Sequence, residues 1–200
     1  MTTQPSSSSS SAAPRQSAKS RQRALLVLGV VVLIALVTWL VTKGDDDGDK
    51  AEPAAGAVQI GAPTVLSEAQ LRAFGAAQPT PVYWAGVIPN RRFEVTQTSG
   101  GRYYVRYLTP RADVGDAAPR FLTVGTYPGT NAYGALQAVA RRSSSESVTT
   151  PSGALVVYDK NKPTSVYFAF PGQNFQVEVY DPRGDRARRF VLDGKVQQVR

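Results

Sequence analysis

Two hundred residues carry 23 Lys and Arg against 15 Asp and Glu, a formal charge of +8, with neither cysteine nor histidine. The missing thiols exclude disulfides, a lipoprotein anchor, a thiol nucleophile and thiolate metal sites. The missing imidazoles exclude a Ser-His-Asp triad and ordinary zinc or copper centres, so no cofactor is expected and the ordered part must hold together by packing.

Residues 1–23 form a Ser-rich tail, unbroken serine from Ser6 to Ser11, and are too polar to fold alone. Residues 24–42, ALLVLGVVVLIALVTWLVT, then run for 19 positions without a charge. At about 1.5 Å per residue the run spans a hydrocarbon core of about 30 Å. It exceeds the apolar stretch of a cleaved signal, about 7–15 residues, and no small-x-small site follows closely, so it reads as a retained transmembrane helix. Arg15, Lys19, Arg21 and Arg23 precede it, whereas Lys43 and the acids Asp45, Asp46, Asp47 and Asp49 follow. That asymmetry places the amino terminus in the cytoplasm and the rest of the chain outside.

Residues 43–62 read as an acidic, flexible linker reaching about 25 Å root-mean-square. Its GDDDGD run fails the calcium-loop pattern. Counting from Asp45, Lys50 stands where that loop has Gly and Gly56 where it has Glu. The tail carries +4, the stretch 43–57 carries −3, and residues 58–200 carry +7 with 14 Arg to 3 Lys. Arg-rich charge suits bidentate contact with phosphate or carboxylate, and GC-rich coding gives the same bias.

Ordered structure is expected from about Leu66, within a domain over 63–200. Ser67 and Gln70 form a capping box, with Leu66 and Leu71 as the hydrophobic staple, and Gly75 is expected to close this helix. PVYWAG (81–86) reads as a strand with Val82 and Trp84 inward and Tyr83 at the sheet surface. The segment 92–108, RFEVTQTSGGRYYVRYL, is a hairpin whose register follows from its pattern. A three-residue loop Ser99-Gly100-Gly101 pairs Val95 with Val105, Phe93 with Tyr107 and Gln97 with Tyr103. The other face then pairs Glu94 with Arg106 and Thr96 with Tyr104.

Next come a strand at 121–127, a helix near 131–142 and a strand at 154–158. The helix carries Ala132, Tyr133, Leu136, Val139 and Ala140 on its apolar side. A second hairpin at 165–180 opposes Phe170 to Phe175, Phe168 to Val177 and Val166 to Val179, with Gly172-Gln173 as its tight turn. A last helix opens at Asp181-Pro182, buries Ala187, Phe190 and Val191, and closes at Gly194. The fold class is α+β, a mainly antiparallel sheet with two hairpins and about three short helices following the transmembrane helix. The recurring strand-strand-helix order hints at a duplicated unit.

Several motifs give way to plainer explanations. GTNAYG (129–134) has P-loop glycine spacing, but Ala135-Leu136 replace the Lys and hydroxyl residue that hold phosphate and metal. RGD at 183–185 matches an adhesion tripeptide, yet falls within an expected helical turn. Acid–base chemistry is left to carboxylates, with Glu94 and Glu178 on strands and Asp113 and Asp116 in a loop. A hydrolytic pair needs one cleft and a separation of about 5–9 Å. No S-x-x-K dyad occurs.

The binding candidates are Tyr83 as a platform, the row Arg102, Tyr104 and Arg106 on the outward hairpin face, and Arg186 and Arg189 in the densest basic cluster. Each has a plainer reading: core strand, cross-strand pairing with Glu94, and snorkelling over an apolar helix face.

The order PVYWAG, YVRYL, TVGTYP and EVYDP, after a tail and one anchor, resembles uncharacterised membrane-anchored proteins of actinobacteria. The likeness covers residues 66–200 and implies an anchored envelope protein, with no activity and no residue role to transfer. The expected protein is therefore a single-pass membrane protein with a non-enzymatic outer domain that interacts within the cell envelope. Its expected partners are the membrane and other envelope proteins or an anionic wall polymer, and not nucleic acid. A binder of anionic polymer or lipid through arginines, and a carboxylate-dependent hydrolase, are the alternatives.

Overall fold

A computed structural model of the protein describes residues 57–200. The tail, the expected transmembrane helix over 24–42 and most of the linker lie outside the described residues. Among those described, no helix is long and apolar enough to cross a membrane. The final linker residues lie against the sheet, where Ile60 bridges Gln97 and the Gly61 amide donates to the Gln97 carbonyl at 2.8 Å.

The elements run β1 (Thr64–Leu66), α1 (Glu68–Ala76), β2 (Tyr83–Trp84), β3 (Arg92–Gln97), β4 (Tyr103–Leu108) and β5 (Thr123–Pro128). There follow α2 (Ala132–Ala140), β6 (Ser145–Thr149), β7 (Leu155–Asp159), β8 (Ser165–Ala169), β9 (Phe175–Tyr180), α3 (Arg186–Leu192) and β10 (Gln197–Gln198). Eight strands form one antiparallel sheet in the order β1-β3-β4-β5-β9-β8-β7-β6, and β2 pairs with β10 in a small second sheet. The fold is α+β with a mainly antiparallel sheet and three helices.

Both hairpins adopt the register their alternation dictates. Val95 opposes Val105, Glu94 opposes Arg106, and Gly101 turns the loop at φ 70°. In the second hairpin Phe168 opposes Val177 and Val166 opposes Val179. Its turn differs from expectation. The Gln173 amide donates to the Phe170 carbonyl, so Pro171-Gly172 are the central pair, with Gly172 at φ 73°. Proline presets the first central position of such a turn and glycine supplies the second.

The alternation separates two chemically different faces. The first gathers Phe93, Val95, Tyr107, Val124, Val166, Phe168, Val177 and Val179 into one core with Leu71 of α1, Trp84 of β2 and Ala187 and Val191 of α3. The second carries a smaller apolar cluster where α2 covers it. There Ala132 and Leu136 meet Leu155, Val157 and Ala169, with Tyr133, Val139 and Ala140 alongside. Helices α2 and α3 thus cover opposite faces.

Local signals explain most element ends. The Ser67 hydroxyl accepts from the Gln70 amide and the Gln70 side chain accepts from the Ser67 amide, closing the capping box. Ser67→Ala is expected to cost about 1 kcal/mol, read as a shift in denaturant midpoint. Gly75 does not close α1, which continues to Ala76; it is buried beneath Val199. Helix α3 starts at Arg186 rather than at Asp181-Pro182: residues 182–185 form a turn with Gly184 at φ 38°, although the buried Asp181 carboxylate still binds the amide two residues on. It accepts from the Arg183 amide and from the Arg186 guanidinium. At the other end Gly194 does terminate α3, with the Gly194 and Lys195 amides turning back to Val191 and Phe190.

Thr126 is a buried core position whose chemistry disagrees with its site. It is 1 % exposed and its hydroxyl has no hydrogen-bond partner among the described residues. An orphaned buried hydroxyl costs about 1–3 kcal/mol of desolvation, so Thr126→Val is expected to be neutral or to raise stability by about 1 kcal/mol. A clear loss of thermal stability would contradict the described packing.

Candidate functional site

The second face of the sheet, between α2 and the β1 edge, is polar and nevertheless buried. At its β3–β4 end, Glu94 is fully buried and Arg106 nearly so, and they form an ion pair at 2.6 Å. The segment 109–122 lies over this pair. The Gly115 amide donates to the other Glu94 oxygen at 2.5 Å, and Arg106 donates to the Asp116 carbonyl. The Arg106 guanidinium also stacks 5.1 Å from the Phe121 ring. Within the segment the Ala118 amide, with Arg120 second, holds the Asp116 carboxyl below its usual range.

At the centre of the same face stands Glu178 on β9, also buried, with no ion-pair partner among the described residues. Three hydroxyls surround it instead. Tyr127 donates to one oxygen at 2.7 Å, and Ser165 and Tyr167 donate to the other at 2.9 Å each. Burial, with the carboxylate second, raises the Tyr127 hydroxyl well above the tyrosine range and raises Tyr167 likewise, so both remain donors. Gly125, directly across from Glu178, makes this reach feasible. A Cβ there would sit 2.9 Å from the Tyr127 hydroxyl.

The register brings Arg102, Tyr104 and Arg106 onto one face, as alternation requires. Tyr104 and Arg106 are buried rather than outward, because the Tyr127 ring and the 109–122 segment cover them. Tyr104 meets Tyr127 edge-on at 5.7 Å, and exposed Arg102 sits 5.9 Å over the Tyr127 ring. Tyr83 is not at the sheet surface. It is buried on the opposite face, edge-on to Phe168 at 5.4 Å, and burial raises its hydroxyl pKa. Arg186 pairs with Asp181 at 3.2 Å and stacks on Phe190, whereas Arg189 is exposed on α3. The six candidates are therefore split between the two faces and do not converge on one site.

Glu94 and Glu178 stand on strands with two others between them. At about 4.8 Å per strand their backbones are about 14 Å apart, beyond the span of a hydrolytic carboxylate pair. Each is already engaged by its own donors. Among the described residues, no three carboxylates gather in a metal-binding arrangement.

The pattern of the sequence does not reveal two surface features. Arg141 and Arg142 at the end of α2 adjoin Lys160 and Lys162 through the Lys160 amide, which donates to the Ser144 carbonyl at 2.9 Å. None of these four cations forms an ion pair among the described residues. The second feature is the outer edge of β6, which nothing described pairs with.

The fold and site together define an antiparallel α+β domain with a buried polar face and an open sheet edge. No protein-family model, curated protein or solved structure matches the chain.

Proposed function

We propose that the chain is a single-pass membrane protein whose domain lies outside the membrane and acts as a non-enzymatic interaction module of the cell envelope. The apolar run 24–42 and its lopsided cationic flanks support the anchor and its direction. The observation that carries the interaction reading is the state of the buried charges. Glu94, Arg106, Glu178 and Asp181 are each satisfied by internal partners, which makes them parts of the scaffold and leaves the surface to act. Mild crosslinking in intact membranes should then capture specific envelope proteins with the full-length chain. A catch consisting only of abundant bystanders would overturn the reading.

The basic corner of Arg141, Arg142, Lys160 and Lys162 favours a second reading, a contact with an anionic wall polymer. Retention of the full-length protein on isolated wall material should fall steeply as salt rises above 0.1 M, where screening acts within about 10 Å. Retention indifferent to salt would exclude it.

A further inference from the structure

We infer that the β6 edge is a homodimerisation surface, on which a second copy of this chain adds its own β6 antiparallel across a twofold axis at Ser147. The proposal rests on backbone parity. On its inner side β6 pairs Glu146 with Tyr158 and Val148 with Val156. The Lys160 amide donates to Ser144 and the Thr150 amide to Ala154, which puts residues 144, 146, 148 and 150 on the bonded side. The amides and carbonyls of Ser145, Ser147 and Thr149 therefore point away from the sheet. The Ser145 amide is spent on the Arg142 carbonyl, and the remaining groups form a short unfilled ladder.

A strand with outward groups at alternate positions centred on one residue is complementary to itself. Ser147 exchanges both its hydrogen bonds with Ser147 of the second copy, and Ser145 opposes Thr149. The side chains agree with this arrangement. Glu146 then faces Val148 of the other copy rather than a like charge, and its carboxylate is already held by the Tyr158 hydroxyl at 2.6 Å. The basic corner at the Ser145 end meets the other copy's Thr149, Thr150, Pro151 and Ser152, none of them charged.

Beyond its short length and the single charge of Glu146, the strand lacks the usual protections of an edge. It contains no Lys, no Pro and no glycine, and Val148 is 42 % exposed on it. Pairing two such edges gives one continuous sixteen-stranded sheet, twice the eight strands of one copy. This inference does not depend on the anchor or on which envelope partner the domain meets.

The absence of cysteine makes the test clean. In the proposed dimer the Cα atoms of the paired Ser147 residues lie about 5.5 Å apart, within disulfide reach. Full-length Ser147→Cys, purified in mild detergent and oxidised, should form a covalent dimer at least ten-fold faster than Ser99→Cys, which sits on a distant hairpin loop. Ser147→Pro removes a donor only on the open side, so a folded Ser147→Pro chain should run as a monomer where the parent runs as a dimer. Equal crosslinking of the two cysteine variants would overturn the proposal, as would a parent that is already monomeric. An unchanged dimer in Ser147→Pro would also overturn it.

Discussion

Arg106→Ala should cost about 3–5 kcal/mol, because it leaves the Glu94 carboxylate charged, buried and without its cation. Glu94 is 0 % exposed and its partner lies at 2.6 Å, so water cannot replace the guanidinium without opening the 109–122 segment. Against a domain stability of about 5–15 kcal/mol, such a loss removes about a third or more of the stability of a domain in the middle of that range. The double variant Glu94→Leu with Arg106→Leu should lose far less, since it removes both charges together. Denaturant unfolding of the two variants separates the cost of an orphaned charge from the worth of the pair. A loss below about 1 kcal/mol for Arg106→Ala would mean that the pair is solvated and that the segment does not cover it.

Gly75→Ala should lower stability by about 1–3 kcal/mol, opposite in sign to the usual effect of alanine in a helix. An added Cβ would lie 2.7 Å from Val199 Cγ1 and 2.8 Å from Val199 Cβ, with Val199 itself 1 % exposed. Val199 cannot withdraw easily, because its amide, just after β10, is bonded to the Val82 carbonyl at 2.8 Å. Combining Gly75→Ala with Val199→Ala should recover part of the loss, giving a favourable coupling energy in a double-mutant cycle. Gly75→Ala acting as a stabilising substitution would show that the carboxyl-terminal strand does not close over α1.

The hairpin registers were legible because their alternation places the charged residues Glu94 and Arg106 on one side and Phe93, Val95, Val105 and Tyr107 on the other. A slip of one residue would bury Arg106 and Glu94 in the aromatic core and move Val95 and Val105 to the polar face. The same alternation pairs Glu94 with Arg106, but it carries no sign of their burial, since the cover comes from a segment that reads as plain loop. PVYWAG misleads for a related reason. With only two residues in β2 and both sides packed, Tyr83 and Trp84 are buried alike and the period of two has no polar face to mark.

Strand β6 was missed because SESVT carries too little apolar character to score as a strand. It is held by backbone pairing to β7 rather than by burial of its side chains. The Glu178 cage was beyond sequence reading, because its donors come from positions 51, 13 and 11 residues away on two other strands. Only Gly125 in TVGTY marked the place, as a residue too small for a strand interior unless a neighbouring ring needs the space. Gly75 was read as a terminator for want of any sign that Val199 would lie against it.

The proposal as a whole depends on the domain lying on the far side of the membrane from the basic tail. Reporters fused after Arg200 test this directly, one enzyme active only after export and one fluorophore that matures only in the cytoplasm. The account predicts an active exported enzyme and a dark cytoplasmic fluorophore. A fluorescent fusion with an inactive enzyme would contradict it and would remove the basis for every envelope contact proposed above.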